Sequence, residues 1–225
     1  CGAGSTSVAM AKAGATVIGV DISEELLAQA RARDTDGRCT FFLCGAATTD
    51  FDEPFVLIYS RFGMMFFDDP VAGWANLRRQ LVSGGKAGVV CWREAVHNEW
   101  AVLPLKAAST VLGEAQTRPS PSGIPGPFAW AQEHVFTEIL EQSGWSVEVR
   151  HIDGSLAMNE ASAVNPVEDA VQFAMQIGPL GSRLKGLEAE ARQAVYDALE
   201  NTMRGKLHGG VIRFSTAGWV ITASP

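Results

Sequence analysis

The sequence predicts an α/β domain built on a parallel sheet, and three observations carry that reading. Short runs of β-branched and apolar residues alternate with helix-length segments whose apolar residues recur every three or four positions. Glycines and Ser, Asp or Asn caps fall at the joints between these segments. The composition also suffices for a sizeable core, with 47% hydrophobic and 19% charged residues among 225. That balance excludes a disordered, collagen-like or coiled-coil chain.

In chain order, residues 5–13 (STSVAMAKA) suit a short helix that ends at Gly14, because glycine adopts the left-handed stop at little cost. Residues 15–20 (ATVIGV) form a buried strand closed by Asp21. Ser23 is the N-cap of the next helix, Glu24 and Glu25 favour its positive end, and Leu26, Leu27 and Ala30 give it a buried face. Residues 39–43 (CTFFL) and 55–59 (FVLIY) are continuous apolar runs, the pattern of strands covered on both faces. Asp69-Pro70 starts a helix whose inner face is Val71, Trp74, Leu77 and Leu81. Ser83-Gly84-Gly85 then stops it, and residues 86–92 (KAGVVCW) form a strand. Alternation of this kind implies right-handed crossovers between parallel strands.

The pattern changes after Trp92. Residues 98–113 read as a helix interrupted or kinked near Pro104, and the proline-rich run 119–127 (PSPSGIPGP) as an ordered loop or lid. Alternation resumes with a helix over 131–143, a stop at Gly144 and a strand over 145–151. Asn165-Pro166 caps a helix that ends at Gly178-Pro179, residues 187–203 are a further helix, and 211–223 a final strand or hairpin-like strand. Neither an internal repeat nor a linker interrupts the chain, so residues 1–225 form a single domain with 97–130 as a substrate-capping insertion.

Lys and Arg total 18 and Asp and Glu 25, a formal net charge of −7. An acidic chain without a long basic run is a poor match for a phosphate backbone, so nucleic acid is not expected as a partner. No apolar run approaches the ~18–20 residues that span a bilayer. Cys1, Cys39, Cys44 and Cys91 are widely spaced and lack CxxC pairing. They read as free thiols of a reducing, cytoplasmic compartment, with Cys39 and Cys91 buried in strands; neither a disulfide framework nor a metal site is expected.

Cys1-Gly2-Ala3-Gly4-Ser5 precedes a helix, and Asp21 ends the following strand. Small residues let backbone approach a ligand, helix N–H groups face its anionic part, and a carboxylate at the second strand end accepts ribose hydroxyls. A tight strand-to-helix turn beside a solvated Asp accounts for the same residues. A dinucleotide fingerprint requires Gly or Ala at its third position, where this chain has Ser7, and no second mononucleotide half follows. An NAD(P)-dependent oxidoreductase is therefore a rival to S-adenosylmethionine chemistry, not the leading reading.

The run Ser60-Arg61-Phe62-Gly63-Met64-Met65-Phe66-Phe67-Asp68-Asp69 is more distinctive. It leads into Pro70, the Trp74–Leu81 helix, the Ser83-Gly84-Gly85-Lys86 turn and a strand ending in Cys91-Trp92-Arg93. With the glycine loop and Asp21, it resembles class I S-adenosylmethionine-dependent methyltransferases of the small-molecule, ubiquinone/menaquinone-biosynthesis-like branch. Pro125-Gly126-Pro127-Phe128 resembles a later motif of that branch.

The resemblance implies a Rossmann-like sheet, mostly parallel with its last strand antiparallel, helices on both faces and S-adenosyl-L-methionine as cofactor. Gly2, Ala3 and Gly4 then meet the methionyl and ribose parts, Asp21 the ribose hydroxyls, and Ile22 the adenine. Gly45-Ala46-Ala47 forms the loop beside the adenine, and Ser60, Arg61 and Phe62 line the methionyl end. Two departures stand out: family members carry Asp at the positions of Gly45 and Val56. They also have a first strand ahead of the glycine loop, so Cys1 is expected to be an internal position of a truncated protein that is unstable or binds cofactor poorly alone.

Methyl transfer is an in-line displacement that needs alignment and dryness more than a fixed set of catalytic groups. His97, His134 and His151 are candidate bases. His97 follows the fifth family strand, although a solvated loop position accounts for it too, and His134 and His151 read as surface residues. Arg61 is a candidate for orienting an anionic substrate, or for a structural ion pair. Trp92, Asn98, Trp100 and Phe128, with Trp130, either build a π-rich acceptor pocket or pack the lid. Met64, Met65, Phe66 and Phe67 read as core filling, and Arg78-Arg79 as a solvated helix face. The expected activity is methyl transfer to a small metabolite; a non-catalytic cofactor-binding relative is the alternative that Gly45 and Val56 suggest.

Overall fold

The computed structural model describes residues 1–113, 122–160 and 162–225; part of the 97–130 insertion, including Pro119 and Pro121, lies outside them. The chain divides into two compact units. The first comprises residues 1–91, 133–150 and 220–225, and the second residues 92–132 and 151–219.

In the first unit, α1 (Ser5–Lys12) leads to β1 (Val17–Asp21), α2 (Glu24–Arg33) and β2 (Cys39–Leu43). β1 and β2 pair in parallel, with Asp21 opposite Leu43. α2 begins as its sequence dictates, since the Ser23 hydroxyl accepts from the Leu26 amide at 3.3 Å, a side-chain cap of the usual kind. β3 (Phe55–Arg61), α3 (Pro70–Arg79) and β4 (Leu81–Trp92) follow. Asp69 caps α3 through a 2.9 Å bond from the Ala72 amide, with Pro70 at the first helical position where its missing N–H costs nothing.

Helix α3 stops earlier than the sequence suggests, and β4 takes in the Ser83-Gly84-Gly85 turn. The register passes from Phe55↔Leu81 to Leu57↔Lys86, so the turn becomes an irregularity within a strand. Gly85 is required there: a Cβ would lie 3.0 Å from the Val82 carbonyl and 3.1 Å from that of Phe55. α5 (Glu133–Gln142) ends at Gly144 as expected. Trp145 then locks it to α3, its indole donating to the Trp74 carbonyl at 3.1 Å and its ring meeting Trp74 edge-on at 5.5 Å. The Arg78-Arg79 pair is exposed yet tethered. Arg78 donates to the Gly144 carbonyl and Arg79 to the Asn76 side chain, both at 2.8 Å.

The strand order is β1-β2 in one sheet and β3-β4-β7-β5 in the other. β5 (Ser146–Ala157) and β7 (Val211–Ser224) each run from one unit into the other. β2 and β3 are therefore end strands and partly open to solvent, which corrects the expectation that residues 39–43 and 55–59 are covered on both faces. Val56 is 75% exposed, Leu43 55% and Phe42 45%. Cys39 is only half-buried, whereas Cys91 lies in the core, where burial pushes its thiol up to about 12. Met64 and Met65 are buried as core filling, but Phe66 is half exposed.

The second unit packs α4 (Glu99–Leu112), α6 (Pro166–Gln176), α7 (Pro179–Arg183) and α8 (Ala189–Arg204) with β6 (Leu207–His208) and its antiparallel partner β7. α4 runs through Pro104 without the interruption expected of it. A proline there removes one helical hydrogen bond, and burial of Pro104, Leu105 and Ala108 in the core holds the helix together. The core of this unit includes Trp100, Leu105, Phe128, Val195, Leu199, Ile212 and Phe214.

Candidate functional site

The predicted cofactor residues of the first unit lie at or just past strand ends: Asp21 and Ile22 at β1, Gly45, Ala46 and Ala47 after β2, and Ser60, Arg61 and Phe62 at β3, the ends at which open α/β sheets bind their ligands. The glycine loop comes first. Gly2 and Gly4 take left-handed conformations with φ of 58° and 76°, which only glycine adopts without strain. A Cβ at Gly2 would meet nothing within 4 Å, so the space beside it is open. Gly4 serves a different purpose, since a Cβ there would come within 2.8 Å of the Ala30 Cβ and 2.9 Å of its Cα. α1 therefore begins at close approach to α2. It has no side-chain cap, its first turn closes through Val8 N–H to the Gly4 carbonyl at 2.9 Å, and among the described residues the amides of Ser5, Thr6 and Ser7 have no partner. Such a terminus attracts an anion.

Asp21 closes β1 beside this loop. Its Oδ2 accepts from the Gly2 amide at 2.7 Å and the Cys1 amine at 3.1 Å, and its Oδ1 from the Ser23 amide at 3.0 Å. Burial pushes this carboxyl up, but the amides of Gly2 and Ser23 and the amino terminus outweigh it and hold Asp21 below the usual carboxylate range. A carboxylate has about four acceptor sites, so Oδ1 retains capacity for a further donor.

Ile22, next along, is 82% exposed. It stands beside Gly45, where a Cβ would lie 3.9 Å from the Ile22 Cγ2 and 3.6 Å from the Thr48 hydroxyl. The loop carrying Gly45, Ala46 and Ala47 is tied to α3. The Asn76 amide donates to the Thr49 carbonyl at 2.9 Å, and Gly73 lets the helix approach, since a Cβ there would sit 3.0 Å from that of Ala47.

At the end of β3, Ser60 is buried and its hydroxyl accepts from the Met64 amide at 3.2 Å. Arg61 is exposed. Phe62 holds φ of 60°, alone among the described non-glycine residues in that region. A bulky side chain there costs roughly 1–3 kcal/mol. The Phe62 amide donates to the Val90 carbonyl at 2.8 Å, which fixes the strained turn to β4. Sequence alone gave no sign of this conformation, because phenylalanine has no preference for it.

The proposed acceptor residues belong to the second unit, and there the structure shows packing rather than an open pocket. Asn98 is completely buried. Its amide donates to the carbonyls of Arg93, Glu94 and Ala217 at 3.1–3.2 Å, and its Oδ1 accepts from the Ala217 amide at 3.0 Å and the Trp100 indole at 3.3 Å. Trp100 and Phe128 are buried and stacked at 5.6 Å, and the half-buried Trp92 lies 5.0 Å from Trp100. These side chains fill the core of their unit. His97 is exposed in the turn before α4, and His134 and His151 are exposed on α5 and β5. Among the described residues no cluster of three or more His, Cys, Asp or Glu would hold a metal ion, and no helix is long and apolar enough to cross a membrane.

Residues 1–85 match the family model of a methyltransferase domain. The structure resembles a protein from Bacillus halodurans provisionally named a methyltransferase, with a TM-score of 0.57 at 16% identity, over 99% of this chain and 88% of that one. The fold is that of the methyltransferases. It also resembles phosphoethanolamine N-methyltransferase 2 of Haemonchus contortus, solved with S-adenosyl-L-methionine, with a TM-score of 0.52 at 17% identity over 100% of this chain and 47% of that one. An uncharacterized protein of Mycobacterium tuberculosis is 36% identical over 94 residues, which span 40% of this chain and 34% of the relative. The match thus takes in about a third of that relative's length, and this methyltransferase fold carries a Rossmann-like mixed sheet with helices on both sides.

Proposed function

We propose that the chain binds S-adenosyl-L-methionine and transfers its methyl group to a small-molecule acceptor. The observation that carries this reading is Asp21. In a methyltransferase fold it stands ionised at the end of β1, beside an uncapped helix and a glycine cradle, with acceptor capacity left for a ribose hydroxyl. The open space at Gly2 and the free amides of α1 fit a charged, nucleoside-bearing ligand. When bound, that ligand supplies a methyl group on a sulfonium centre. The chain's own residues then have three tasks. Asp21 grips the ribose, Ile22 and the Gly45-Ala46-Ala47 loop flank the adenine, and Ser60, Arg61 and Phe62 line the methionyl end. Strain at Phe62 fits a turn shaped for that contact.

The acceptor is a small metabolite, and specifying it is assigned to residues 97–130, with His97 as the candidate base. Nucleic acid does not suit a net charge of −7. A cytoplasmic location fits four cysteines that are all free.

Isothermal titration of the 225-residue chain with S-adenosylmethionine, S-adenosylhomocysteine and NAD tests the reading. Saturable binding of the first two and not of NAD is expected. Binding of NAD alone would replace it with an oxidoreductase. Binding without turnover across a panel of hydroxyl, amine, thiol and activated-carbon acceptors would favour the non-catalytic relative that Gly45 suggests.

A further inference from the structure

We infer that Arg33 is a positioning residue for the cofactor loop: it fixes the Ala3–Gly4 peptide in the orientation that binds ligand. The inference rests on the cofactor reading above and on geometry in the first unit. Arg33 is in the last turn of α2, and its Nε donates to the Ala3 carbonyl at 2.9 Å, across 30 residues of sequence. Ala3 lies between Gly2 and Gly4, both left-handed. The Ala3–Gly4 peptide turns over through Ala3 ψ and Gly4 φ, and glycine at the second of these tolerates either sign of φ. One orientation aims the Ala3 carbonyl at the guanidinium on α2. The reverse orientation swings that oxygen away from Arg33 and turns a partial negative charge toward the region an anionic or hydroxyl-bearing ligand must enter.

The Gly4 amide of the same peptide donates to the Cys1 carbonyl at 3.3 Å, a long bond that the guanidinium reinforces from the opposite edge of the peptide plane. A Cβ at Gly4 would lie 2.8 Å from that of Ala30, so the start of α1 lies close against α2. The Gly2 amide is held by Asp21 at 2.7 Å. The loop is thereby fixed at each end, and the bond from Arg33 sets its middle. A guanidinium suits this task because a charged donor binds a carbonyl more firmly than a neutral one. Its reach from the end of α2 also lets it act without entering the ligand's space. Arg33 is exposed in the last turn of α2, so its replacement is expected to leave the fold intact.

The test compares the full chain with Arg33→Met, which keeps an apolar stem and removes the donor, and with Arg33→Lys, which keeps a cationic donor of similar length. Titration with S-adenosylhomocysteine is expected to show roughly tenfold weaker binding for Arg33→Met, the scale of one hydrogen bond from a charged group. Arg33→Lys should recover most of that loss, and thermal melting should be unchanged for both. A merely structural arginine would lower the melting temperature in step with affinity, and that result would overturn the inference. So would equal affinity for Arg33→Met and the unsubstituted chain, or an Arg33→Lys loss as large as that of Arg33→Met. No binding by the unsubstituted chain would overturn the cofactor reading itself, and this inference with it.

Discussion

Asp21 ends β1 and Asn98 follows β4 through one short turn, yet the structure uses these two polar residues in opposite ways. Asn98 is fully buried, and both ends of its side chain are consumed by backbone and by the Trp100 indole. Asp21 is only partly buried, bonds to neighbouring amides, and keeps acceptor capacity on Oδ1. Burial of a polar group is tolerated only when its bonds are made inside the protein, whereas a binding residue must have bonds still to make. Position at a strand end therefore marks where function can reside, and the state of the side chain's hydrogen bonds tells which residues serve it.

The largest effect expected from this contrast is at Asn98. Asn98→Ala leaves the Ala217 amide and the Trp100 indole buried without acceptors, and should cost about 3 kcal/mol. Urea denaturation would read it as a lower midpoint with an unchanged slope. An unchanged midpoint would mean that Asn98 is not a structural clamp, and would return it to the list of acceptor contacts.

Asp21→Ala comes next. It should weaken S-adenosylhomocysteine binding by roughly tenfold or more, the scale of hydrogen bonds to a charged group. The pH dependence follows from the depressed ionisation of Asp21. A group whose folded value lies below its unfolded one contributes fully above the ordinary carboxylate range and loses that contribution as pH falls through the folded value. Affinity should therefore be level from neutrality down to about pH 5 and decline only in stronger acid. A decline centred near neutrality would point to a histidine instead.

The boundary between the two behaviours also marks what the sequence reveals. The α3 start was legible because its cap, Asp69, and its target amide lie three residues apart. The positions of Gly4 and Asp21 were legible for a similar reason: a glycine ahead of a helix and a carboxylate closing a strand are local signals. The fate of Asn98 depends on Ala217, 119 residues away, and no local pattern announces it. The exposure of Val56 and Phe42 was hidden too, since apolar runs reveal strand propensity but not which strands end a sheet. Arg33 escaped notice because a basic residue at a helix C-terminus is already explained by the helix dipole. Its guanidinium reaches back to Ala3 across 30 residues, a separation that no local pattern marks.

A smaller, opposite effect is expected at Gly45. The residue has no positive φ to protect, and a Cβ there meets only ordinary contacts at 3.6 and 3.9 Å. Gly45→Asp therefore fits without strain and adds an acceptor beside Ile22. If that is where the adenine lies, S-adenosylhomocysteine should bind a few-fold more tightly, the scale of one ordinary hydrogen bond. Inosine-based analogues, which lack the exocyclic amine, should gain nothing. An equal gain for both would show that the new charge acts at a distance rather than on the base edge.

The least effect on stability and cofactor affinity is expected at His97, and that residue bears most directly on the acceptor. His97 is exposed in the turn before α4, while its neighbour Asn98 anchors the turn from inside. His97→Ala should leave the urea midpoint and cofactor affinity unchanged, because no packing is lost. A base acting on the acceptor would be seen only in turnover: kcat falls by the ~10²–10⁴-fold typical of a lost proton acceptor, and the acidic limb of the rate profile disappears with it. Unchanged kcat with a nucleophile that carries a proton would remove His97 from the chemistry. The chain would then achieve transfer by alignment alone, which in-line displacement from a sulfonium permits.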